Sequence, residues 1–469
     1  MSDSASLSAA SRACIAAPAG CGKTHLIAEA VTQHGGRRDL VLTHTHAGID
    51  ALSRKIRSMD GSSPTSVVDT IAGWALRYAS AFPQSSGFTD QLPKTKEEWD
   101  AVYESARNLL LGRPIREVLR ASYSGAYVDE YQDCTVQQHR LVLAIADSIP
   151  TRVLGDPLQG IFDFGQNEPV DWERDVRPNF TELPPLSRMW RWENRNQELG
   201  RWLACVREDL LHRRPVDLRG APVRWERLAT RSPIVGQVTV CLNIARQDDG
   251  TVAAIHGLPQ QCHFIASRLR GLYQCVEPID SRDLFDSGMR IETCHGPAKA
   301  AEVIAFAGKC MTRVRTDLNR VQSAYRSGGI PATRQGRLST VFDALRRVAD
   351  DDSYPSVVAA LETIRTIPGA IIFRRELFDE MLRGLRSTTI NGNSELTEAL
   401  WLSRNRTRFV GRRSGRCLVG RTVLVKGLEF DHAIVLDADG MDAKDLYVAL
   451  TRGAQSLTIF SRSQTITPQ

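Results

Sequence analysis

Eight residues near the start of the chain, Ala17-Pro18-Ala19-Gly20-Cys21-Gly22-Lys23-Thr24, constrain its fold more than any others. They follow Ala13-Cys14-Ile15-Ala16, a short apolar run suited to a buried strand. After them Leu26, Ile27, Ala30 and Val31 recur at helical spacing until Gly35-Gly36. A strand, a glycine-rich turn and a helix, in that order, let backbone N–H groups wrap phosphate oxygens at the positive end of the helix. Lys23 can then neutralise the β and γ oxygens, and the Thr24 hydroxyl can ligate Mg²⁺. The pattern predicts nucleotide binding around Ala17, Gly20, Cys21, Gly22, Lys23 and Thr24, although its first position is Ala where the general pattern has Gly.

The same alternation continues along the chain. Leu40-Val41-Leu42-Thr43, Tyr127-Val128 and Arg152-Val153-Leu154 are short apolar runs separated by helical stretches, which predicts a parallel sheet with helices on both faces. It returns in Ala433-Ile434-Val435-Leu436, a helix from about Ala443 to Gly453 and a strand at Leu457-Thr458-Ile459-Phe460. Residues 311–409 differ. They are rich in arginine, with helical spacing in Val341, Leu345 and Val348 and again in Leu377, Met381 and Leu385. The expected architecture is α/β, with one lobe over residues 1–185 and a second over 186–310 and 410–469. Helical insertions are expected at about 78–122 and at 311–409.

Tyr127-Val128-Asp129-Glu130 supplies a chemical partner for the phosphate loop. A strand ending in two adjacent acids can turn Asp129 toward a magnesium ion and Glu130 toward an attacking water, as hydrolysis requires.

Asp129-Glu130-Tyr131-Gln132-Asp133, Gly155-Asp156-Pro157-Leu158-Gln159-Gly160-Ile161-Phe162, Lys426-Gly427-Leu428-Glu429-Phe430 and Tyr447-Val448-Ala449-Leu450-Thr451-Arg452 together resemble motifs II, III, V and VI of the UvrD/Rep-like superfamily 1 helicases. They stand in that family's order, and the Ala-first loop is its form too. The resemblance spans residues 17–452 and implies two RecA-like P-loop NTPase domains that use ATP and Mg²⁺. By the same resemblance, Lys23 and Glu130 are catalytic, and Thr24 and Asp129 hold the metal. Gln159 contacts the γ-phosphate or the water, and Gly427 and Glu429 lie where the second lobe meets nucleotide. Arg452 is a γ-phosphate arginine presented by that lobe. Leu186-Ser187-Arg188-Met189-Trp190-Arg191 stands in the place of motif IV, so Arg191 becomes a second such arginine and Trp190 a ring that stacks on adenine. Cation–π pairing of Arg191 with Trp190 or Trp192 is the alternative reading of that cluster. The family's upstream glutamine has no counterpart before Gln33, and His25 replaces a basic residue that flanks the base.

Contact with single-stranded DNA rests on weaker matches. Thr43-His44-Thr45-His46-Ala47 resembles motif Ia, with His44 where an aromatic is usual, and Thr70 begins the place of motif Ib. Phe162 and Phe164 follow motif III as base-stacking rings, although each aromatic alone could equally be core.

Composition leaves these readings open and closes others. At 469 residues, with 42% hydrophobic and 24% charged residues, the chain reads as soluble and globular. No apolar run approaches the roughly 20 residues of a membrane span. Met1 to Arg12 lacks the pattern of an export signal, so a cytoplasmic location is expected. The net charge is +6, carried by 52 arginines and only eight lysines, which suits phosphate recognition or an arginine-biased genome equally. The ten cysteines are scattered without a CxxC pair and read as reduced thiols. In size, and in its Trp-Arg-Trp form of motif IV, the chain also resembles the helicase-like B subunit of the Gabija anti-phage system, which works with a nuclease. Two functions follow: a superfamily 1 translocase moving 3′ to 5′ on single-stranded DNA, or a regulatory ATPase subunit controlling a partner nuclease.

Overall fold

The structure is a computed structural model, which describes residues 3–33, 38–60, 66–88, 93, 95–161, 168–230, 233–278, 281–331, 336–391, 395–410 and 415–468. Its contacts divide the chain into two units. The first comprises Met1–Pro222, Met441–Gln455 and Thr465–Gln469, and the second Val223–Gly440 and Ser456–Gln464.

Six short strands form the sheet of the first unit: β1 (Arg12–Ala16), β2 (Asp39–Thr43), β3 (Val67–Thr70), β4 (Gly125–Val128), β5 (Thr151–Gly155) and β6 (Thr181–Glu182). They lie in the order β3-β2-β4-β5-β1-β6, and every pairing is parallel. β1, β2, β4 and β5 are apolar runs because helices cover the sheet on both sides. The order places the carboxyl ends of β4, β5 and β1 side by side, and the loops that leave those ends carry the chemistry. The backbone N–H of Ala17 donates to Gly155 O at 2.9 Å and so extends the β1–β5 ladder into the phosphate loop.

Helices Ile71–Ala81, Pro83–Ser86, Lys96–Leu111 and Arg113–Ser122 occupy the region of the smaller expected insertion. They do not form a separate core. Trp74, Val102, Tyr103, Ala106, Leu110 and Leu119 pack with Ala126 and Val128 of β4. A capping box between Thr95 and Glu98 starts the longest of these helices. A short strand β7 (Val216–Asp217) pairs antiparallel with Thr465–Ile466.

The second unit holds β8 (Arg224–Arg227), β9 (Val252–Ile255), β10 (Gln274–Cys275), β11 (Cys417–Gly420), β12 (Phe430–Val435) and the greater part of β13 (Gly453–Ser461), in the order β10-β11-β9-β12-β13-β8. This is the second parallel sheet of the expected α/β class. Among the described residues, seven helices of eleven residues or more run between β10 and β11, from Arg282–Thr293 to Leu396–Val410, around one core. Val341, Leu345, Val348, Leu377, Met381 and Leu385, whose spacing predicted helices, are all buried there. Leu284, Ile291, Ile304 and Phe306 belong to the same core, so the helical assembly begins at Arg282, upstream of residue 311.

Arg374 fastens these helices to the sheet. Its guanidinium donates to both oxygens of the fully buried Glu277, at 2.6 and 2.7 Å, and to Asp283 at 2.7 Å. Removing one partner of such a pair leaves a buried charge uncompensated. Arg374→Ala is therefore expected to destabilise the second unit by about 3–5 kcal/mol in urea unfolding. The double change Arg374→Met with Glu277→Gln, which removes both charges, should lose less. Equal losses in the two variants would contradict this account.

Candidate functional site

The phosphate loop has the geometry that its residues require. Gly20 and Gly22 have φ of 73° and 82°, in the left-handed region that glycine enters freely. They are also sites of close approach, because a Cβ on Gly20 would fall 2.6 Å from the Trp192 ring and one on Gly22 2.9 Å from Trp190. Lys23 opens the helix Lys23–Gln33 and folds back across the loop, donating from Nζ to Ala17 O at 2.9 Å and Pro18 O at 3.3 Å. Its ammonium is buried over the loop.

Asp129 and Glu130 leave the end of β4. Thr24 Oγ1 donates to Asp129 Oδ2 at 3.0 Å, bringing the hydroxyl and the carboxylate expected to share a metal ion into contact. Two hard oxygen donors of this kind suit Mg²⁺, which commonly takes one or two protein oxygens and fills its shell with phosphate and water. Burial, reinforced by the neighbouring Glu130 charge and opposed by Lys23, raises the Asp129 carboxyl to about 6. Glu130 adopts φ 54°, uncommon for a residue with a side chain. Its Oε2 accepts from Gln132 Nε2 at 2.6 Å.

The same glutamine reaches the next strand. Gln132 Oε1 accepts from the backbone N–H of Asp156, just beyond β5, at 2.9 Å. The Asp156 carboxylate is fully buried and receives Gln159 Nε2 at 2.9 Å, Leu158 N at 3.3 Å and Arg207 Nη2 at 3.4 Å. Gln159 Oε1 in turn accepts from Arg452 Nη2 at 3.4 Å. Hydrogen bonds thus run from Glu130 through Gln132, Asp156 and Gln159 to Arg452.

Arg452 follows the helix Ala443–Leu450 and is held from Nε by Val448 O at 2.8 Å. The resemblance implied that a second lobe presents this residue. Here it packs within the first unit, as does the whole segment Met441–Gln455, because Tyr447 and Thr451 bond to residues of that unit. Tyr447 OH accepts from Ala19 N at 3.1 Å, and Arg191 Nη1 donates to Thr451 O at 2.7 Å.

The stretch Met189–Trp192 lies directly on the phosphate loop. Arg191 N donates to Gly20 O at 3.2 Å, and Cys21 Sγ meets Met189 Sδ at 3.3 Å. Burial raises the Cys21 thiol to about 11. The Arg191 guanidinium also stands 5.3 Å from the centre of the Trp192 ring, so the cation–π pairing and the place beside the loop coexist. Trp190 is 46% exposed, has the Arg188 guanidinium 3.5 Å from its ring centre and lies 6.0 Å from the His25 ring. Burial lowers the His25 imidazole below its ordinary range, with a further push from Lys55.

The residues expected at nucleic acid are not gathered in the same way. Thr43 is buried at the end of β2, and His44 Nε2 lies 3.5 Å from Cys134 Sγ. Thr70 caps the helix Ile71–Ala81, accepting from Gly73 N at 2.8 Å. Phe162 and Phe164 lie outside the described residues. Gly427 and Glu429 belong to the second unit, where Gly427 has φ 76° and Glu429 is exposed. Among the described residues, His263, Cys275 and Glu277 form one further group of metal-ligating type. Arg374 already occupies both oxygens of Glu277, so the group is an ion pair with neighbours and not a cation cage.

Sequence reasoning missed Tyr447, Asp156, Gln132 and Arg207 as parts of the site. The first three lie inside recognisable motifs, and the polar residues at those strand ends were a usable signal. Arg207 lies in the middle of the helix Gln197–Leu211 with nothing in the chain to mark it.

Residues 88–171 match the UvrD/REP helicase N-terminal domain. This matched segment contains β4, both carboxylates after it, and the turn that carries Asp156 and Gln159, and it supports a superfamily 1 helicase. Solved structures with similarity include the Escherichia coli DEAH/RHA helicase HrpB, at a TM-score of 0.31 and 10% identity over 58% of this chain and 29% of that one. Another is the Pif1 helicase from Candida albicans, at a TM-score of 0.29 and 14% identity over 52% of this chain and 54% of that one. The chain thus spans less than two thirds of either. No curated protein matches it.

In the UvrD/REP-type segment, the raised carboxyl of Asp129 has a consequence for stability. Between about pH 4 and 6 the folded protein keeps a proton that the unfolded chain has lost, so stability falls as pH rises through that window and is lowest above it. With nucleotide absent and metal chelated, Asp129→Asn is expected to raise the melting temperature at pH 7.5. The gain should be on the order of 3 kcal/mol at most and shrink toward pH 4. A gain that does not change with pH would show that charge burial is not its cause.

Proposed function

We propose that the chain is an ATP-dependent DNA translocase or helicase of superfamily 1, hydrolysing ATP to move 3′ to 5′ on single-stranded DNA. One observation carries the ATPase part. The Lys23 loop, the Thr24–Asp129 pair, Glu130 and the Gln159–Arg452 pair all converge at the carboxyl ends of three adjacent strands. The DNA part is supported by the match of residues 88–171 to the UvrD/REP helicase N-terminal domain.

In this reading the loop amides and Lys23 receive the triphosphate, and Thr24 and Asp129 hold Mg²⁺. The ion, when bound, supplies neutralisation of charge on the β- and γ-phosphate oxygens. Glu130, oriented by Gln132, accepts a proton from the attacking water, which Gln159 helps to position. Arg191 and Arg452 bring positive charge to the γ-phosphate, where charge redistributes during transfer. Trp190 offers one face to the base, because Arg188 covers the other. His44, Thr43, Thr70, Phe162 and Phe164 are the residues assigned to the DNA strand, and Gly427 and Glu429 are nucleotide contacts assigned by resemblance.

ATP turnover should rise on addition of single-stranded DNA, and Lys23→Ala and Glu130→Gln should each lower it by about 100-fold or more. Glu130→Gln should still bind a fluorescent ATP analogue, since it removes a base and not a phosphate ligand. Robust hydrolysis indifferent to DNA would overturn the translocase reading and favour the regulatory ATPase. Undiminished hydrolysis in Lys23→Ala would overturn both.

A further inference from the structure

Arg207 takes no part in the chemistry described above, yet it lies immediately behind it. We propose that Arg207 is a positioning residue for catalysis. Its charge holds the Asp156 carboxylate, and that carboxylate fixes which end of the Gln159 amide faces the catalytic centre. The inference rests on the ATPase reading and adds to it a residue that no motif contains.

The argument begins with the burial of Asp156. A fully buried carboxylate is tolerated when it is paired and hydrogen-bonded. Asp156 receives the backbone of Leu158 and the amide of Gln159, both neutral donors, and among the described residues its ion-pair partner is Arg207 at 3.4 Å. The Arg207 side chain is itself only 13% exposed, although it comes from a surface helix about fifty residues along the chain. Burial disfavours its charge, but the Asp156 carboxylate outweighs this and raises the guanidinium above its ordinary value, with the Tyr447 hydroxyl nearby. That hydroxyl is the group that accepts from Ala19 in the phosphate loop. One guanidinium thus lies behind both the loop and the turn after β5.

The consequence for Gln159 follows from hydrogen-bond chemistry. An ionised carboxylate only accepts, so Gln159 must offer its NH₂ to Asp156 and turn its carbonyl oxygen away, toward Arg452. An amide held this way presents an acceptor, which can take a hydrogen from water. Reversed, it would present a donor. Without Arg207 the Asp156 carboxylate loses its charged anchor, and the Gln159 amide loses the fixed acceptor that orients it.

The test is steady-state ATP turnover by the full chain with single-stranded DNA, comparing wild type, Arg207→Ala, Arg207→Lys, Gln159→Ala and the double variant Arg207→Ala/Gln159→Ala, with Lys23→Ala as blank. Arg207→Ala should lower kcat about 10- to 100-fold while KM for ATP moves less than about threefold. Arg207→Lys, which keeps the charge, should recover part of kcat. The double variant should be no worse than Gln159→Ala, because both changes act through one amide. The inference is overturned by a kcat within about twofold of wild type in Arg207→Ala, or by multiplicative losses in the double variant. It is also overturned by a loss in Arg207→Lys equal to that in Arg207→Ala, which marks a structural role. A wild type that does not exceed the blank sinks the ATPase reading and this inference with it, whereas an active wild type with an unaffected Arg207→Ala sinks this inference alone.

Discussion

Two buried carboxylates, Asp129 and Asp156, stand at the ends of neighbouring strands, and the site is arranged around compensating their charge. Neither can be left alone in such surroundings. Asp129 has the Thr24 hydroxyl and the nearby Lys23 ammonium, and its carboxyl still rises to about 6. Asp156 has Arg207 and the Gln159 amide. Gln132 connects the two strand ends, accepting from the Asp156 backbone while donating to Glu130. The parallel sheet makes this possible, since only adjacent strands running the same way deliver three loops to one edge.

The walls of the phosphate loop are as constrained as its floor. Trp190, Arg191 and Trp192 sit so near Gly20 and Gly22 that a methyl group at either glycine would collide with an indole ring. The glycines therefore have two independent reasons to be glycine, a left-handed backbone and the absence of room. Trp192 is in turn held from its indole nitrogen by Gly453 O at 2.8 Å, beside the Thr451 carbonyl that receives Arg191. Loop, tryptophan segment and the stretch after Ala443–Leu450 form one packed body, and for that reason Met441–Gln455 groups with the first unit although it is far along the chain.

The second unit combines a sheet core with a separate helical core. Helical spacing at Val341, Leu345 and Val348 was readable because these residues repeat on one face. The helix Arg282–Thr293 buries Leu284, Ser287, Gly288 and Ile291 on one face, so its periodic signal was present as well; only Gly296–Cys310, apolar on more than one side, lacks a sharp one. The expected boundary at residue 311 follows the change to arginine-rich composition, whereas the packing follows Leu284 and Ile304.

What the sequence determined by itself was everything that local chemistry dictates: the strand–loop–helix around Lys23, the acids after β4, the turn after β5 and the two parallel sheets. Each depends on neighbours within a few residues, such as glycines for the turn or an apolar run for a buried strand, and those neighbours are visible in one dimension. Only the tertiary structure decided which distant groups meet these elements. Arg207 beneath Asp156, Tyr447 on Ala19, Trp192 against Gly20 and Arg452 on the Gln159 amide are pairings across about 50 to more than 400 residues of chain. Such pairings are set by how helices pack on the sheet, and a buried charge or a missing Cβ reveals its need for a partner without revealing where in the chain that partner lies.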